Sequence, residues 1–305
     1  MPAGDQAHEL AGGKLLVDEP APGVVRLTIS NPEKRNALDH PILDAITATL
    51  AEYSGSGEER GGSGTGDTGD TGDAGDAGDA GDAGRPGSEV RCVVVTGAHG
   101  MFSAGYDIGE IPDAEFEERA QALVAHPFTE AIDALQAFPW PTVAALPGHT
   151  IGGGLELALA CDLRVAAEGI KLGMPPAKLG LVYSHTGLRR FIEAIGAPRT
   201  RELFLLGRYI DAHTALSWGL VNRVAAQAGL ESETLELASE LAGNAPLAQL
   251  GNKRAIAALL DAEAELPAKI EGELIELRRA SFASRDMREG MRAFAEKRPA
   301  RWSGE

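Results

Sequence analysis

Two glycine-containing turns hold the residues of this chain that are best placed to do chemistry. One reads MFSAGYDIGE, over residues 101–110, and the other reads PGHTIGGGLELALACD, over residues 147–162. Glycine at a helix start lets a ligand approach the backbone, and the free N–H groups there favour negative charge. Neither turn has the spacing of a dinucleotide-binding or phosphate-binding glycine loop. If the two turns meet, two main-chain N–H groups would bind one oxygen as an oxyanion hole.

The turns lie within an alternation of predicted strands and helices. The first follows VRCVVVTG (90–97), an apolar run typical of a strand that is covered on both faces. Upstream, residues 14–30 predict two strands around a Pro-Ala-Pro-Gly turn, and residues 40–53 predict a helix. Downstream, the pattern continues as PFTEAIDALQAF (helix), PTVAALPG (strand), GLELALAC (helix) and DLRVAA (strand). This alternation predicts parallel crossover connections and an α/β fold.

The last part of the chain favours helices, because its apolar residues recur with helical spacing. We therefore predict an N-terminal tail over residues 1–13, an α/β core over 14–196 and a helical C-terminal subdomain over 197–305. The predicted C-terminal helices are TRELFLLG, DAHTALSWG, ETLELASELAG, PLAQLGNKRAIAALLDAE and AKIEGELIELRRASFAS.

Residues 54–88 interrupt the predicted core with a Gly-Asp repeat. The segment holds 13 of the 38 glycines and has a net charge of −6. Such a composition cannot bury enough apolar surface to fold, so we predict a disordered insert. Cation binding by its carboxylates is the less favoured alternative, because the apolar residue of calcium-binding nonapeptide repeats is missing.

Composition excludes several functional classes. The 305 residues carry a net charge of −17, and the chain remains acidic without the insert, so nucleic acid is not an expected partner. The two cysteines, Cys92 and Cys161, lie in apolar runs and cannot build a disulfide framework or a zinc site. We expect no metal. The sequence shows neither a signal peptide nor an apolar run that could span a membrane, so we expect a cytoplasmic protein that does not bind membranes.

Five motifs together resemble the crotonase, or enoyl-CoA hydratase/isomerase, superfamily. They cover nearly all of the chain except the insert and the first dozen residues, in the family's order: NPEKRNAL, FSAGYDI, PGHTIGGGLELALACD, GRYIDAHTALSWGLVNRV and MRAFAEKRPARW. The resemblance implies a spiral of β-β-α units followed by a helical oligomerisation subdomain. It also implies a homotrimer or a dimer of trimers, an acyl-CoA substrate, and no cofactor apart from the CoA within that substrate.

The resemblance also assigns site residues. It implies that the N–H groups of Tyr106 and Gly153 bind the thioester carbonyl, and that Lys297 approaches a CoA phosphate from a neighbouring subunit. Asp107 is expected to shape its loop as an Asx residue. The other residues that the resemblance places along the substrate groove, together with Asp107, are Lys34, Ala37, Ser103, Ala104, Ile108 and Gly152.

The catalytic carboxylates decide which reaction is expected. Hydratases that resemble this chain use two glutamates around one water, because hydration needs a base at one carbon and an acid at the other. The first position corresponds to Glu156 and the second to Pro176. Proline cannot transfer a proton, so this departure disfavours hydration and also double-bond isomerisation.

The methylmalonyl-CoA decarboxylase branch of the superfamily is more similar. It lacks the second glutamate and shares the forms of PPAKLGLVY and REGMRAFAEKRPARW. Tyr183 corresponds to the tyrosine of that branch that contacts the departing carboxylate, and the alternative is an ordinary core tyrosine with a satisfied hydroxyl. Two main-chain donors and a positioned hydroxyl can stabilise the enolate without a carboxylate base. Glu156 is then either structural or chemical, and His185 is either structural or the acid that protonates the enolate.

Three functional hypotheses follow. The first is an acyl-CoA decarboxylase that converts a malonyl-type thioester, such as methylmalonyl-CoA, to a saturated acyl-CoA through an enolate. The second is an enoyl-CoA hydratase or isomerase that uses Glu156. The third is a CoA-binding or assembly protein that keeps the fold without turnover.

Overall fold

The structure, a computed structural model, describes residues 7–54, 90–107, 127–262 and 266–304. The predicted insert beyond Ser54, and Ile108 of the predicted substrate groove, lie outside these residues. Within the described ranges, no helix combines the length and the apolar composition needed to cross a lipid bilayer.

Strands and helices alternate through the first two thirds of the described chain. The strands are β1 (His8–Leu10), β2 (Leu15–Ala21), β3 (Val24–Ile29), β4 (Cys92–Gly97), β5 (Met101–Ser103), β6 (Thr142–Leu146), β7 (His149–Ile151), β8 (Leu163–Ala167), β9 (Lys171–Gly173), β10 (Tyr209–Asp211) and β11 (Arg223–Ala225). The helices are α1 (His40–Ser54), α2 (Pro127–Ala137), α3 (Gly153–Ala160), α4 (His185–Leu206), α5 (Ala212–Trp218), α6 (Leu230–Gly243), α7 (Pro246–Ala262), α8 (Ala268–Ala283) and α9 (Arg285–Ala295).

A seven-stranded sheet forms the centre of the core. Its order is β1-β2-β3-β4-β6-β8-β11, antiparallel from β1 to β3 and parallel from β3 onward. Strand β4 is buried along nearly all of its length, as its unbroken apolar run predicts for a strand covered on both faces. The α/β fold with C-terminal helices, predicted from the sequence, is confirmed.

A second sheet of four short strands positions the two glycine turns. Its order is β10-β9-β7-β5, and strands β5, β7 and β9 run parallel. The first turn follows β5 and the second follows β7, so both leave the same edge of the sheet. Strands β5, β7 and β9 have three residues each, which is too short for an alternating pattern to show in the sequence.

Two predicted segment boundaries need correction. Strand β1 lies within the segment predicted as a tail, and it pairs with β2, His8 opposite Val17. Residue 196, the predicted end of the core, falls inside α4, where Gly196 has a φ of 75° and breaks the helical geometry. Both strands that follow this kink belong to the sheets of the core. Strand β10 is part of the four-stranded sheet and β11 is part of the seven-stranded sheet, so the core extends beyond residue 196.

The C-terminal helices fold back over the core. The predicted helices α5 to α8 are all present, but the sequence analysis did not predict α9, whose sequence is strongly polar. Ser284 caps α9 by accepting a hydrogen bond from the Met287 N–H at 2.9 Å. Helix α9 packs on the 3₁₀ turn Pro176–Leu179, where a Cβ on Gly290 would lie 2.6 Å from the Leu179 carbonyl oxygen.

Candidate active site

The two glycine turns contact each other. A Cβ added to Gly105 would lie 3.0 Å from the Ile151 carbonyl oxygen and 3.2 Å from the Gly153 nitrogen. Gly105 has a φ of 98°, a conformation that side chains disfavour, so both its backbone angle and its surroundings require glycine. The two turns therefore meet, as they must if two main-chain donors are to bind one oxygen.

The first turn is held by the segment that precedes α1. The Leu38 N–H donates to the Gly105 carbonyl at 2.8 Å, and the Asp107 N–H donates to the Leu38 carbonyl at 2.9 Å. These two bonds form a parallel bridge between Leu38 and Tyr106. Because successive peptide groups alternate in direction along extended backbone, the Tyr106 N–H points away from Leu38.

The second turn leads directly into a helix. Gly153 is the first residue of α3, so its N–H has no acceptor within the helix. The preceding Gly152, with a φ of 57°, donates its N–H to the Gly173 carbonyl at 2.9 Å and so anchors the turn to β9. The ring of Tyr106 covers Gly153, where an added Cβ would lie 2.9 Å from Cε2. The start of α3 therefore lies against the first turn, and the role of the Tyr106 and Gly153 N–H groups as an oxyanion hole stays a prediction.

Several predicted groove residues lie around these turns. Lys34 Nζ and Asp107 Oδ2 form an ion pair of 2.5 Å, which raises the pKa of Lys34. Asp107 thus ties its loop to the Pro32–Lys34 turn, in addition to its predicted role in loop shape. Ser103 is buried, and its Oγ accepts a hydrogen bond from the Gly105 N–H at 3.1 Å.

The remaining groove predictions have different outcomes. Ala37 is buried, and the Ala104 N–H donates to the Arg35 carbonyl at 3.1 Å, so both belong to the same pair of loops. Lys297 is exposed in the turn after α9, away from these loops in sequence, and its contact with CoA on a neighbouring subunit stays a prediction.

Glu156 lies beside this arrangement in a charged hydrogen-bond network. Its side chain is 3% exposed, since α3 is buried on all sides. The Tyr183 hydroxyl donates to Oε2, and Arg190 Nη1 donates to Oε1 at 3.1 Å. Burial raises the pKa of Glu156, although the Tyr183 hydrogen bond and the charges of Arg190 and Arg278 oppose the shift. Both carboxylate oxygens are therefore bonded by side chains of the protein itself.

Tyr183 reaches Glu156 from the segment that precedes α4. Its ring packs edge-on against Phe204, with centroids 5.3 Å apart. Burial, followed by the neighbouring Glu156 charge, raises the pKa of Tyr183 well above its ordinary value, so the hydroxyl keeps its proton. The tyrosine predicted to contact a substrate carboxylate thus donates to a carboxyl group of the protein.

A small open pocket adjoins these groups. It has about 240 Å³ of empty space, counted to its open mouth. Its described lining residues are Tyr106, Phe128, Thr129, Ile132, Glu156, Ser184, Thr186, Arg190 and Arg278. Glu156 is the single carboxylate in this lining. Pro176, at the position of the second hydratase glutamate, is buried in the turn on which α9 packs.

The sequence analysis missed both arginines of the pocket. Arg190 follows Arg189, and Arg278 precedes Arg279, so each belongs to a pair of adjacent arginines. Neighbouring residues of a helix point about 100° apart, and only packing decides which one faces inward. The two pairs of adjacent arginines could have been noted as candidates, but the sequence does not indicate which arginine of each pair faces the pocket.

His185 begins α4 and points toward α8. Its Nε2 lies 3.7 Å from Glu271 Oε1, and the side chain is 21% exposed. This contact joins the two helices, so the structural interpretation has a physical basis, while its role as an acid stays a prediction. Among the described residues, no group of three or more His, Cys, Asp and Glu side chains could hold a metal ion.

Fold and site together define a protein class, and the comparisons with known proteins name it. The sequence profile of the enoyl-CoA hydratase/isomerase family matches residues 83–305, and this chain belongs to that family. The resemblance to the crotonase superfamily is thereby confirmed.

Particular relatives differ in the reaction that their names state. YngF of Bacillus subtilis (strain 168), which carries the family's name, is 36% identical over 218 residues, covering 71% of this chain and 82% of its own. Carnitinyl-CoA dehydratase of Citrobacter koseri is 37% identical over 234 residues, covering 72% and 84%. A solved structure of methylmalonyl-CoA decarboxylase complexed with 2S-carboxypropyl-CoA has a TM-score of 0.78 and 26% identity, covering 96% of this chain and 98% of that one.

Proposed function

We propose that this chain decarboxylates a malonyl-type acyl-CoA thioester, such as methylmalonyl-CoA, to the saturated acyl-CoA. One observation carries the proposal. Beside the two candidate N–H donors, the described pocket holds a single carboxylate, Glu156, and both of its oxygens are already bonded by Tyr183 and Arg190. Hydration would need a second proton-transferring group, and Pro176 occupies that position.

Decarboxylation requires stabilisation of an enolate, and it does not require a base that removes a proton from carbon. In the proposed complex, the thioester oxygen accepts hydrogen bonds from the N–H groups of Tyr106 and Gly153. The bond between the α-carbon and the carboxylate breaks, its electron pair forms the enolate, and CO₂ leaves. The two N–H groups stabilise the negative oxygen, and a proton from water or an acid such as His185 then completes the saturated thioester.

Tyr183 would hold the carboxylate out of the thioester plane, so that the breaking bond overlaps the carbonyl π system. Its hydroxyl donates to Glu156 in the structure. Burial favours the protonated form of Glu156. A protonated Glu156 can donate to the Tyr183 oxygen, and the phenolic proton is then available to the substrate carboxylate. Glu156 would thereby act through Tyr183 rather than on carbon.

The similarity to methylmalonyl-CoA decarboxylase supports the proposal, because it extends over 96% of the chain. A second candidate is an enoyl-CoA hydratase or dehydratase that uses Glu156. The relative named carnitinyl-CoA dehydratase favours this candidate, since it is 37% identical, a higher identity than that of the decarboxylase.

A substrate panel separates these candidates. Purified protein would be incubated with methylmalonyl-CoA, malonyl-CoA and crotonyl-CoA, with CO₂ release and acyl-CoA products measured for each. We expect CO₂ and a saturated thioester from a malonyl-type substrate. Hydration of crotonyl-CoA without any CO₂ release would reject the proposal in favour of the second candidate. CoA binding without any product would indicate the third hypothesis, a binding or assembly protein.

We also propose that the chain assembles into a homotrimer or a dimer of trimers. Helix α7 contains no buried residue in the single chain, and its apolar Leu247 and Leu259 are 86% and 70% exposed. Helix α8 exposes Ile275 and Leu277 in the same way. Apolar side chains in this number on adjacent helices indicate a surface that is covered by another protein. Such packing could also bring Lys297 to a neighbouring CoA site.

A further inference from the structure

Arg278 places a positive charge in the pocket that no carboxylate of the described lining pairs with directly. It lies on α8 and lines the same space as Glu156 and Tyr106. Its Nε is buried and has no hydrogen-bond partner among the described residues. Buried guanidinium groups almost always have acceptors, because an unpaired buried donor loses the hydrogen bonds that it makes to water.

The second arginine of the pocket does not share this property. Arg190 donates to Glu156 at 3.1 Å and to Gln136 at 2.9 Å, and it approaches Asp133 at 3.4 Å. Its charge therefore neutralises the single carboxylate of the described lining. Any protonation of Glu156 only increases the positive excess. Arg278 is thus the cation in this pocket whose counter-charge the described lining does not supply.

The guanidinium of Arg278 also lies over an aromatic ring. Its Cζ lies 5.8 Å from the centre of the Phe282 ring, one helical turn further along α8. The hydroxyl-bearing Ser184 and Thr186 line the same pocket. A planar fork of N–H donors with hydroxyls nearby suits a small planar anion with two acceptor oxygens, which is a carboxylate.

We propose that Arg278 binds the carboxylate of the substrate's acyl group and thereby selects carboxylated acyl-CoA thioesters over uncharged ones. This inference rests on the proposed function, in which a malonyl-type acyl group carries its carboxylate next to the thioester. An ion pair stabilises that carboxylate before the carbon-carbon bond breaks. Arg278 is therefore a specificity residue whose loss raises KM more than it lowers kcat.

The test uses two ligands that cannot react. S-(2-carboxypropyl)-CoA and S-propyl-CoA are thioethers that differ in one carboxylate and lack the carbonyl needed for decarboxylation. Their dissociation constants would be measured by calorimetry for the full chain and for Arg278→Met, Arg278→Lys and Arg279→Met. Arg279 is the matched control, because its side chain is 66% exposed and pairs only loosely with Glu276, at 3.8 Å.

We expect Arg278→Met to weaken binding of the carboxypropyl ligand about 10- to 100-fold and to change binding of the propyl ligand by less than about threefold. Arg278→Lys should lie between Arg278→Met and the unmodified chain, and Arg279→Met should match the unmodified chain. Equal losses for both ligands, or no loss for either, would overturn the inference. If Arg278→Met does not fold, the Arg278→Lys comparison decides by the same criterion.

The two proposals fail in different ways. Because neither ligand reacts, the affinity ratio does not depend on turnover. A selective effect of Arg278→Met in a protein that releases no CO₂ from any malonyl thioester would reject decarboxylation and leave the carboxylate site standing. CO₂ release together with a silent Arg278→Met would reject the carboxylate site and leave the decarboxylase standing.

Discussion

Replacing Tyr183 with phenylalanine removes one hydroxyl and leaves the ring that packs against Phe204. This hydroxyl donates to Glu156, which keeps its 3.1 Å hydrogen bond from Arg190 when the hydroxyl is removed. In the proposed complex, the same hydroxyl donates to the substrate carboxylate. A hydrogen bond to a charged group contributes about 1.5–3 kcal/mol, which corresponds to roughly one to two decades in rate. We therefore expect Tyr183→Phe to lower kcat/KM for methylmalonyl-CoA by about 10- to 100-fold.

Glu156→Gln provides the contrast, since it keeps the side-chain shape and removes the charge. The amide N–H of the glutamine can donate to the Tyr183 oxygen as the protonated carboxyl group does, and no proton has to be taken from carbon. The loss in kcat/KM should therefore be smaller than that of Tyr183→Phe. A hydratase predicts the reverse order, with a loss of about 10²- to 10⁴-fold for Glu156→Gln and little effect of Tyr183→Phe.

Steady-state kinetics on malonyl-type thioesters and on crotonyl-CoA would decide between these orders. Tyr209→Phe makes the same chemical change at a tyrosine that is 50% exposed, so it controls for effects unrelated to the pocket. The decarboxylase reasoning is refuted if Glu156→Gln abolishes turnover of crotonyl-CoA while Tyr183→Phe is silent on every malonyl thioester.

Four further predictions concern stability, geometry and assembly. Burial raises the pKa of Glu156, so the folded state binds this proton more tightly than the unfolded state does. Relative to Glu156→Gln, the free energy of unfolding of the wild-type protein should therefore fall as the pH rises above about 4.5, until the raised pKa is passed. Urea titrations that show a constant or rising difference between the two proteins would contradict this. Gly153→Ala should displace the Tyr106 ring and lower kcat by about 10²-fold or more, whereas Gly243→Ala, which has open space, should not; equal kinetics for the two variants would argue against the oxyanion pair. Deleting residues 56–87 should leave turnover and thermal unfolding nearly unchanged, because the Gly-Asp composition cannot support a core, and loss of active protein would show otherwise. Light scattering at micromolar concentration should report a mass well above 31.8 kDa, and a monomer mass would contradict the proposed assembly.

Local sequence patterns were sufficient to predict the α/β fold class and the positions of the two glycine turns. An unbroken apolar run such as β4 can be stable only when both of its faces are covered, which predicts a central parallel strand. Gly105 and Gly152 have positive φ angles, which glycine adopts readily, so the conformation of these turns is encoded where it occurs. The order of the motifs along the chain was then sufficient to indicate the family.

Tertiary packing decided the chemistry of the pocket. The three-residue strands β5 and β7 owe their existence to hydrogen bonds with neighbouring strands, and they set the convergence of the turns that follow them. Glu156 and Tyr183 are 27 residues apart in the chain, so no local pattern could pair them. Arg278 faces the pocket and Arg279 faces solvent because α8 folds back over the core in one orientation. That orientation is set by the packing of the helices, and it cannot be predicted from two adjacent arginines in a sequence.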